Sequence, residues 1–112
     1  LSYRDYLRQL LCHLKWALRI EQRVTIEEFY QILHLAETII DYGRMIQEYH
    51  RRSVPNVIVE VSELARRFRE TPQTIKNALL LLKDMRRANP AHLDGCWELQ
   101  LTEDNRGDLG AA

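Results

Sequence analysis

The chain has 112 residues, 46% of them apolar and 29% charged, which fits one folded domain with a modest core and excludes a disordered chain. Sixteen basic and sixteen acidic side chains cancel, so only the distribution of charge is informative. No apolar run approaches the roughly 20 residues of a bilayer-spanning helix, and Leu1-Ser2-Tyr3-Arg4-Asp5 does not read as a signal peptide, so an intracellular protein without a membrane partner is expected.

A start on Leu1 rather than Met suits a piece of a longer protein. The first predicted element is a helix over about 3–22. Tyr3, Tyr6, Leu7, Leu10, Leu11, Leu14, Ala17 and Leu18 recur in steps of three and four, so they are expected on its inward face. Trp16 falls at the edge of that face, available to a neighbouring helix or a partner.

Thr25-Ile26-Glu27-Glu28 is a capping box, with Thr25 capping the first turn of a second helix and Glu28 reaching back to it. The apolar pattern carries this helix to about Arg52, with Pro55 as its stop. It has two apolar stripes, Ile26-Phe29-Leu33-Ala36-Ile40 and Ile32-Leu35-Ile39-Tyr42-Ile46-Tyr49, as in a helix sandwiched between layers. Gly43 in its middle marks a close crossing or a bend.

Beyond Pro55 the period changes to two. Residues 57–61 alternate with β-branched side chains and predict a short edge strand showing Val57, Val59 and Val61 on one face. Ser62 is a candidate N-cap for a short helix over 62–69, with Leu64, Ala65 and Phe68 inward. Thr71-Pro72 opens a further helix over 72–87, because proline is well placed at the first helical position. Ile75, Ala78, Leu79, Leu82 and Met85 face its core side. A hairpin over 90–101 follows, with Asp94-Gly95 predicting a two-residue type I′ turn and with Trp97, Leu99 and Leu101 on one face. Residues 102–112 are expected to form a flexible tail.

Strand, helix, sharp turn, helix and hairpin, preceded by a helix, is the order of a winged helix. Ser62-Glu63-Leu64-Ala65-Arg66-Arg67-Phe68 followed by Thr71-Pro72-Gln73-Thr74-Ile75-Lys76-Asn77-Ala78-Leu79 resembles the helix-turn-helix core of winged-helix proteins. The pattern is common in bacterial transcription regulators of the GntR type, and related modules occur in replication and repair proteins. The resemblance covers roughly 45 of the 112 residues. It implies a mainly α, α+β chain: a winged helix-turn-helix with two preceding long helices and a short β-hairpin wing. The whole chain is read as one domain.

The resemblance also implies a function. In DNA-binding members the N-terminal part of the second motif helix enters the major groove, which assigns Gln73, Thr74, Lys76 and Asn77 to base or phosphate contacts. Arg66, Arg67 and Arg69 are then placed to meet the backbone. The charge distribution agrees, since residues 62–88 hold seven basic against three acidic side chains, whereas 89–112 hold one against five. Expected partners are duplex DNA and a protein partner or second copy reached through the N-terminal helices.

The chain departs from the DNA-binding pattern at three places. Its turn carries Arg69-Glu70 instead of glycine and a small residue, its wing tip offers His92, Asp94 and Gly95 instead of cations, and Leu79-Leu80-Leu81-Leu82 exceeds what one core needs, a surplus for the first helix, the second helix or a partner to cover. These features support a second reading, a protein-docking module that uses Trp16, Leu80 and Leu81 or the aromatic edge of the second helix. An enzyme is the least supported class. His13, His34, His50 and His92 lack metal-ligand spacing, no glycine-rich phosphate loop occurs, and no cofactor is implied. Cys12 and Cys96 lie outside any C-x-x-C pair and read as packing residues of a reducing compartment, with a disulfide between them left open.

Overall fold

The computed structural model describes residues 2–49 and 56–101. Four helices and three strands run in the order α1 (Tyr3–Ile20), α2 (Ile26–Tyr49), β1 (Asn56–Glu60), α3 (Val61–Phe68), α4 (Pro72–Asp84), β2 (Ala88–Pro90) and β3 (Cys96–Gln100). The protein is therefore mainly helical, with one small antiparallel sheet ordered β1-β3-β2. The predicted extension of the second helix to Arg52, its stop at Pro55 and the tail 102–112 lie outside the described residues.

The capping box at α2 forms as its chemistry requires. The Glu28 N–H donates to Thr25 Oγ1 at 3.1 Å, and the Thr25 hydroxyl and N–H both donate to the Glu28 carboxylate. Both apolar stripes of α2 are used, with Phe29, Leu33, Ala36 and Ile40 of the first buried, and Ile39 of the second. Gly43 lies where the sheet crosses the helix. A Cβ there would sit 3.0 Å from one Leu99 methyl and 3.1 Å from one of Leu101, so the close crossing depends on the missing side chain.

Leu99 is the centre of the sheet, paired with Val57 on one side and Ala88 on the other. Val59, Ala88, Leu99 and Leu101 turn one face of the sheet inward, while Ile58 points to solvent. Leu64, Ala65, Ile75, Ala78, Leu79 and Leu82 complete the core from α3 and α4.

Several element ends differ from the sequence expectation, each for a local reason. The strand gives way to α3 at Val61, one residue before Ser62, because Val61 is buried and its N–H is held by the Gly95 carbonyl at 2.8 Å. Glu60 is the N-cap and makes no side-chain cap bond; the Ser62 hydroxyl donates to the Glu60 carboxylate from inside the helix. Helix α4 stops at Asp84, three residues before Arg87. Arg86 takes a left-handed conformation (φ 62°), and the Arg87 N–H bonds the Leu82 carbonyl while the Arg86 N–H bonds that of Lys83. That pair of bonds is a Schellman closure, and it turns the chain so that Ala88 can pair with Leu99.

The hairpin likewise starts earlier, at Ala88, and its connection is five residues (91–95) instead of two. Only Gly95 has positive φ (77°), so the expected type I′ turn does not form. The Cys96 N–H donates to the Leu93 carbonyl, placing Gly95 third in the turn, the type II position that favours glycine.

The largest correction concerns α1. The face expected to point inward points out: Tyr3, Tyr6, Leu7, Leu11, Leu14 and Leu18 are all exposed. The helix docks through the opposite side, with Trp16 and His13 buried and Cys12 and Ile20 packed against the core. The indole is the largest apolar group on the helix and burying it gains the most area. It also finds a hydrogen-bond acceptor on α4.

Candidate nucleic-acid interface

Helix α4 is built to start abruptly at its exposed end. Thr71 accepts the Thr74 N–H at 3.1 Å and exchanges a 2.8 Å hydrogen bond with the Thr74 hydroxyl, and Pro72 occupies the first turn where no N–H is needed. The turn before it is equally tight. Arg69 takes the left-handed conformation (φ 55°), and the Glu70 N–H returns to the Ala65 carbonyl at 2.9 Å. Arg69 thus does the work of the glycine often found in such turns, at a steric cost of about 1 kcal/mol.

This geometry sorts the residues assigned to DNA. Gln73 and Lys76 are exposed on the first two turns of α4, whereas Thr74 and Asn77 are half-buried. Gln73, Lys76 and Asn77 share one face by their i, i+3, i+4 spacing. The Gln73 amide donates to Asn77 Oδ1 at 3.0 Å, which leaves a free carboxamide oxygen on Gln73 beside free N–H groups on Asn77. An acceptor next to a donor is the complement of an adenine edge in the major groove. Thr74 is committed to the cap.

The three arginines also divide. Arg66 and Arg69 are exposed, and neither they nor Lys76 are held through their side chains by another described residue. The Arg67 guanidinium instead lies 4.5 Å from the centroid of the Tyr42 ring on α2. Tyr42 donates its hydroxyl to Glu63 at 2.7 Å and meets Phe68 edge-on. The bond to Glu63 raises the Tyr42 pKa, with burial and the Glu63 charge adding to it and Arg67 opposing. Arg67 therefore ties α3 to α2, which removes it from the set of free cations.

The back of α4 is occupied by α1. Trp16 Nε1–H donates to the Asn77 main-chain carbonyl at 2.7 Å, and Arg19 reaches Asp84 at 2.6 Å. The Asp84 carboxylate is almost fully enclosed and has no well-formed hydrogen bond, so its contact with Arg19 is a close ion pair of poor hydrogen-bond angle. Cys12 sits nearby, and burial first, then the Asp84 charge, push its thiol up to about 11. Cys12 and Cys96 are both free and half-buried.

This contact corrects the expected docking residues. Trp16 and Leu81 are buried within the chain, and Leu80 is half-buried against the core, so the leucine-rich run of α4 is covered by α1 and α2 and not held out to a partner. Sequence reasoning allows α1 or α2 to cover these leucines but does not single out the face of α1 that does so. The signal was there, since Cys12, Trp16 and Ile20 recur in steps of four on the side opposite the leucines.

Residues 88–100 contain no Lys or Arg, and the hairpin tip presents His92, Leu93, Asp94 and Gly95 to solvent. No cluster of metal-ligating side chains occurs among the described residues, and none of their helices is long and apolar enough to cross a membrane. Comparison with known proteins gives no significant match to a family model, a curated protein or a solved structure.

Proposed function

We propose that α2 and residues 56–101 form a winged helix-turn-helix that binds duplex DNA through the N-terminal half of α4. The observation that carries this reading is the topology. Helix, strand, helix, tight turn, helix and hairpin, with the sheet ordered β1-β3-β2, match the order expected of a winged helix, and Thr71, Pro72, Gln73 and Lys76 at the start of α4 are exposed. Gln73 and Asn77 read base edges from the groove, while Lys76, Arg66 and Arg69 contact phosphates. The wing, lacking cations, stays clear of the backbone.

Three free cations predict a modest electrostatic component. Each neutralised phosphate contributes about 0.9 to the slope of log affinity against log salt, giving a slope of about −3 per copy. The test is a fluorescence-anisotropy titration of labelled duplex at several salt concentrations. Lys76→Ala should weaken binding to all sequences alike and flatten the slope by about 1, whereas Gln73→Ala should relax sequence preference. A folded sample that fails to bind duplex at low salt refutes the proposal.

A further inference from the structure

We infer that the outward face of α1 is the surface through which two copies of this chain pair, with their α1 helices parallel. Leu7, Leu11, Leu14 and Leu18 step by four, three and four residues, the alternating spacing of a coiled-coil seam. All four are exposed, Leu11 to 66% and Leu18 to 78%. The seam lies on the opposite side of the helix from Trp16, whose burial fixes α1 on its own body. Two bodies joined along this seam therefore lie on its outer sides and do not collide.

Size supports an occupant of this kind. With Tyr3 the exposed face along the seam amounts to on the order of 600 Å², the upper end of the ~300–600 Å² of the largest patch on a typical monomer. It approaches the ~800 Å² that each partner buries in a standard interface.

The rim charges select a second copy and set its direction. In the heptad, Leu11 and Leu18 take the a positions and Leu7 and Leu14 the d positions. Arg8 and Lys15 then fall at e, while Tyr3, Leu10 and Ala17 fall at g. An antiparallel pair sets e against e and brings Arg8 and Lys15 up to the same cations of the second copy. A parallel pair sets e against g, so Arg8 meets Tyr3 of the second copy and Lys15 meets its Leu10. The one like-charge contact left, Arg4 against its counterpart at the first a position, lies in the first turn of α1, where Arg4 is exposed and water screens it.

The pairing is read without nucleic acid, so its failure is separate from failure of the DNA proposal. Sedimentation equilibrium of the intact chain should give a concentration-dependent mass rising toward twice 13.3 kDa. Leu11→Glu and Leu14→Glu should each hold the mass at one copy with an unchanged circular dichroism spectrum. A wild-type chain that stays monomeric to its solubility limit overturns the inference, as does a Leu11→Glu chain that still pairs. Direction is read by mixing wild type with Arg8→Glu/Lys15→Glu: parallel pairs form statistically, whereas a preference for mixed pairs overturns the parallel arrangement. A monomer that sediments with anionic phospholipid vesicles would overturn it in favour of a lipid surface.

Discussion

The Trp16 indole N–H is bonded to the carbonyl of Asn77, so the helix that precedes the compact module is anchored to the back of the helix assigned to the DNA groove. The Asn77 side chain is held at the same time by Gln73. One residue of α4 thus connects the proposed reading surface to the packing of α1, and disturbing Trp16 disturbs both.

Replacing Trp16 with Ala should therefore cost about 3–5 kcal/mol, the range for removing a buried indole. Trp16→Phe keeps most of the apolar area but loses the hydrogen bond and should cost about 1–2 kcal/mol. Urea unfolding followed by circular dichroism measures both, and a Trp16→Phe chain as stable as the wild type would show that the hydrogen bond contributes nothing.

The Arg19–Asp84 pair should behave asymmetrically. Arg19→Ala leaves an enclosed carboxylate without its cation and should destabilise the fold by about 2–3 kcal/mol. That is less than the ~3–5 of a fully buried pair, because Arg19 keeps 37% of its side chain in water against 2% for Asp84. Changing both, as Arg19→Met/Asp84→Leu, should recover most of the loss. A double variant no more stable than Arg19→Ala would count against this account.

Arg69 offers a way to separate stability from binding. Arg69→Gly relieves the left-handed backbone and should stabilise the fold by about 0.5–1 kcal/mol. On the DNA proposal the same change removes a phosphate contact and flattens the salt slope by about 1. Thermal melting and the anisotropy titration read the two effects independently.

Gly43→Val should destabilise by about 1–3 kcal/mol, because the added atoms meet Leu99 and Leu101 where the sheet rests on α2. Gly43→Ala is a milder probe, since the helix preference of Ala offsets part of the crowding. The order Gly43, Ala, Val in melting temperature, with Val lowest by a clear margin, is the expected result.

Cys12, with its thiol raised to about 11, should alkylate at pH 8 roughly 100-fold more slowly than a free thiol of pKa 9. Mass spectrometry after timed iodoacetamide treatment follows this directly. The sign for stability is that the contribution of the buried thiol is fully present below pH 9, where the unfolded chain also keeps its proton. It falls as pH rises from 9 through about 11.

The sequence made legible those features whose cause is local. Thr25 with Glu28 and Thr71 with Pro72 specify helix starts through bonds made within four residues, and both form as read. The strands followed from alternation, because Val59 and Leu99 must face the same core. Helix ends were less legible, since Glu21, Arg69 and Arg86 all adopt left-handed backbone where glycine would have announced the stop. The orientation of α1 was not legible from periodicity, which favoured the longer leucine stripe. The deciding contact, Trp16 with Asn77, joins residues 61 apart. At the candidate site, Gln73 and Lys76 were assigned through the resemblance and are exposed, whereas the diversion of Arg67 onto Tyr42 depends on how α2 meets α3.

The two-sidedness of α1 has a consequence for the chain while it is being made. During synthesis α1 emerges before α4, with leucines on one side and Trp16 on the other, and the helix that shelters Trp16 follows some 60 residues later. Over that interval both apolar sides of the segment lack the surface that later covers Trp16. A second nascent chain or a chaperone is then a competitor for the same residues that later separate, one side to α4 and the other outward. The order of synthesis thus leaves the Trp16 side of α1 uncovered until α4 follows, and a shortened chain stopping before Pro72 should be more aggregation-prone than the whole chain.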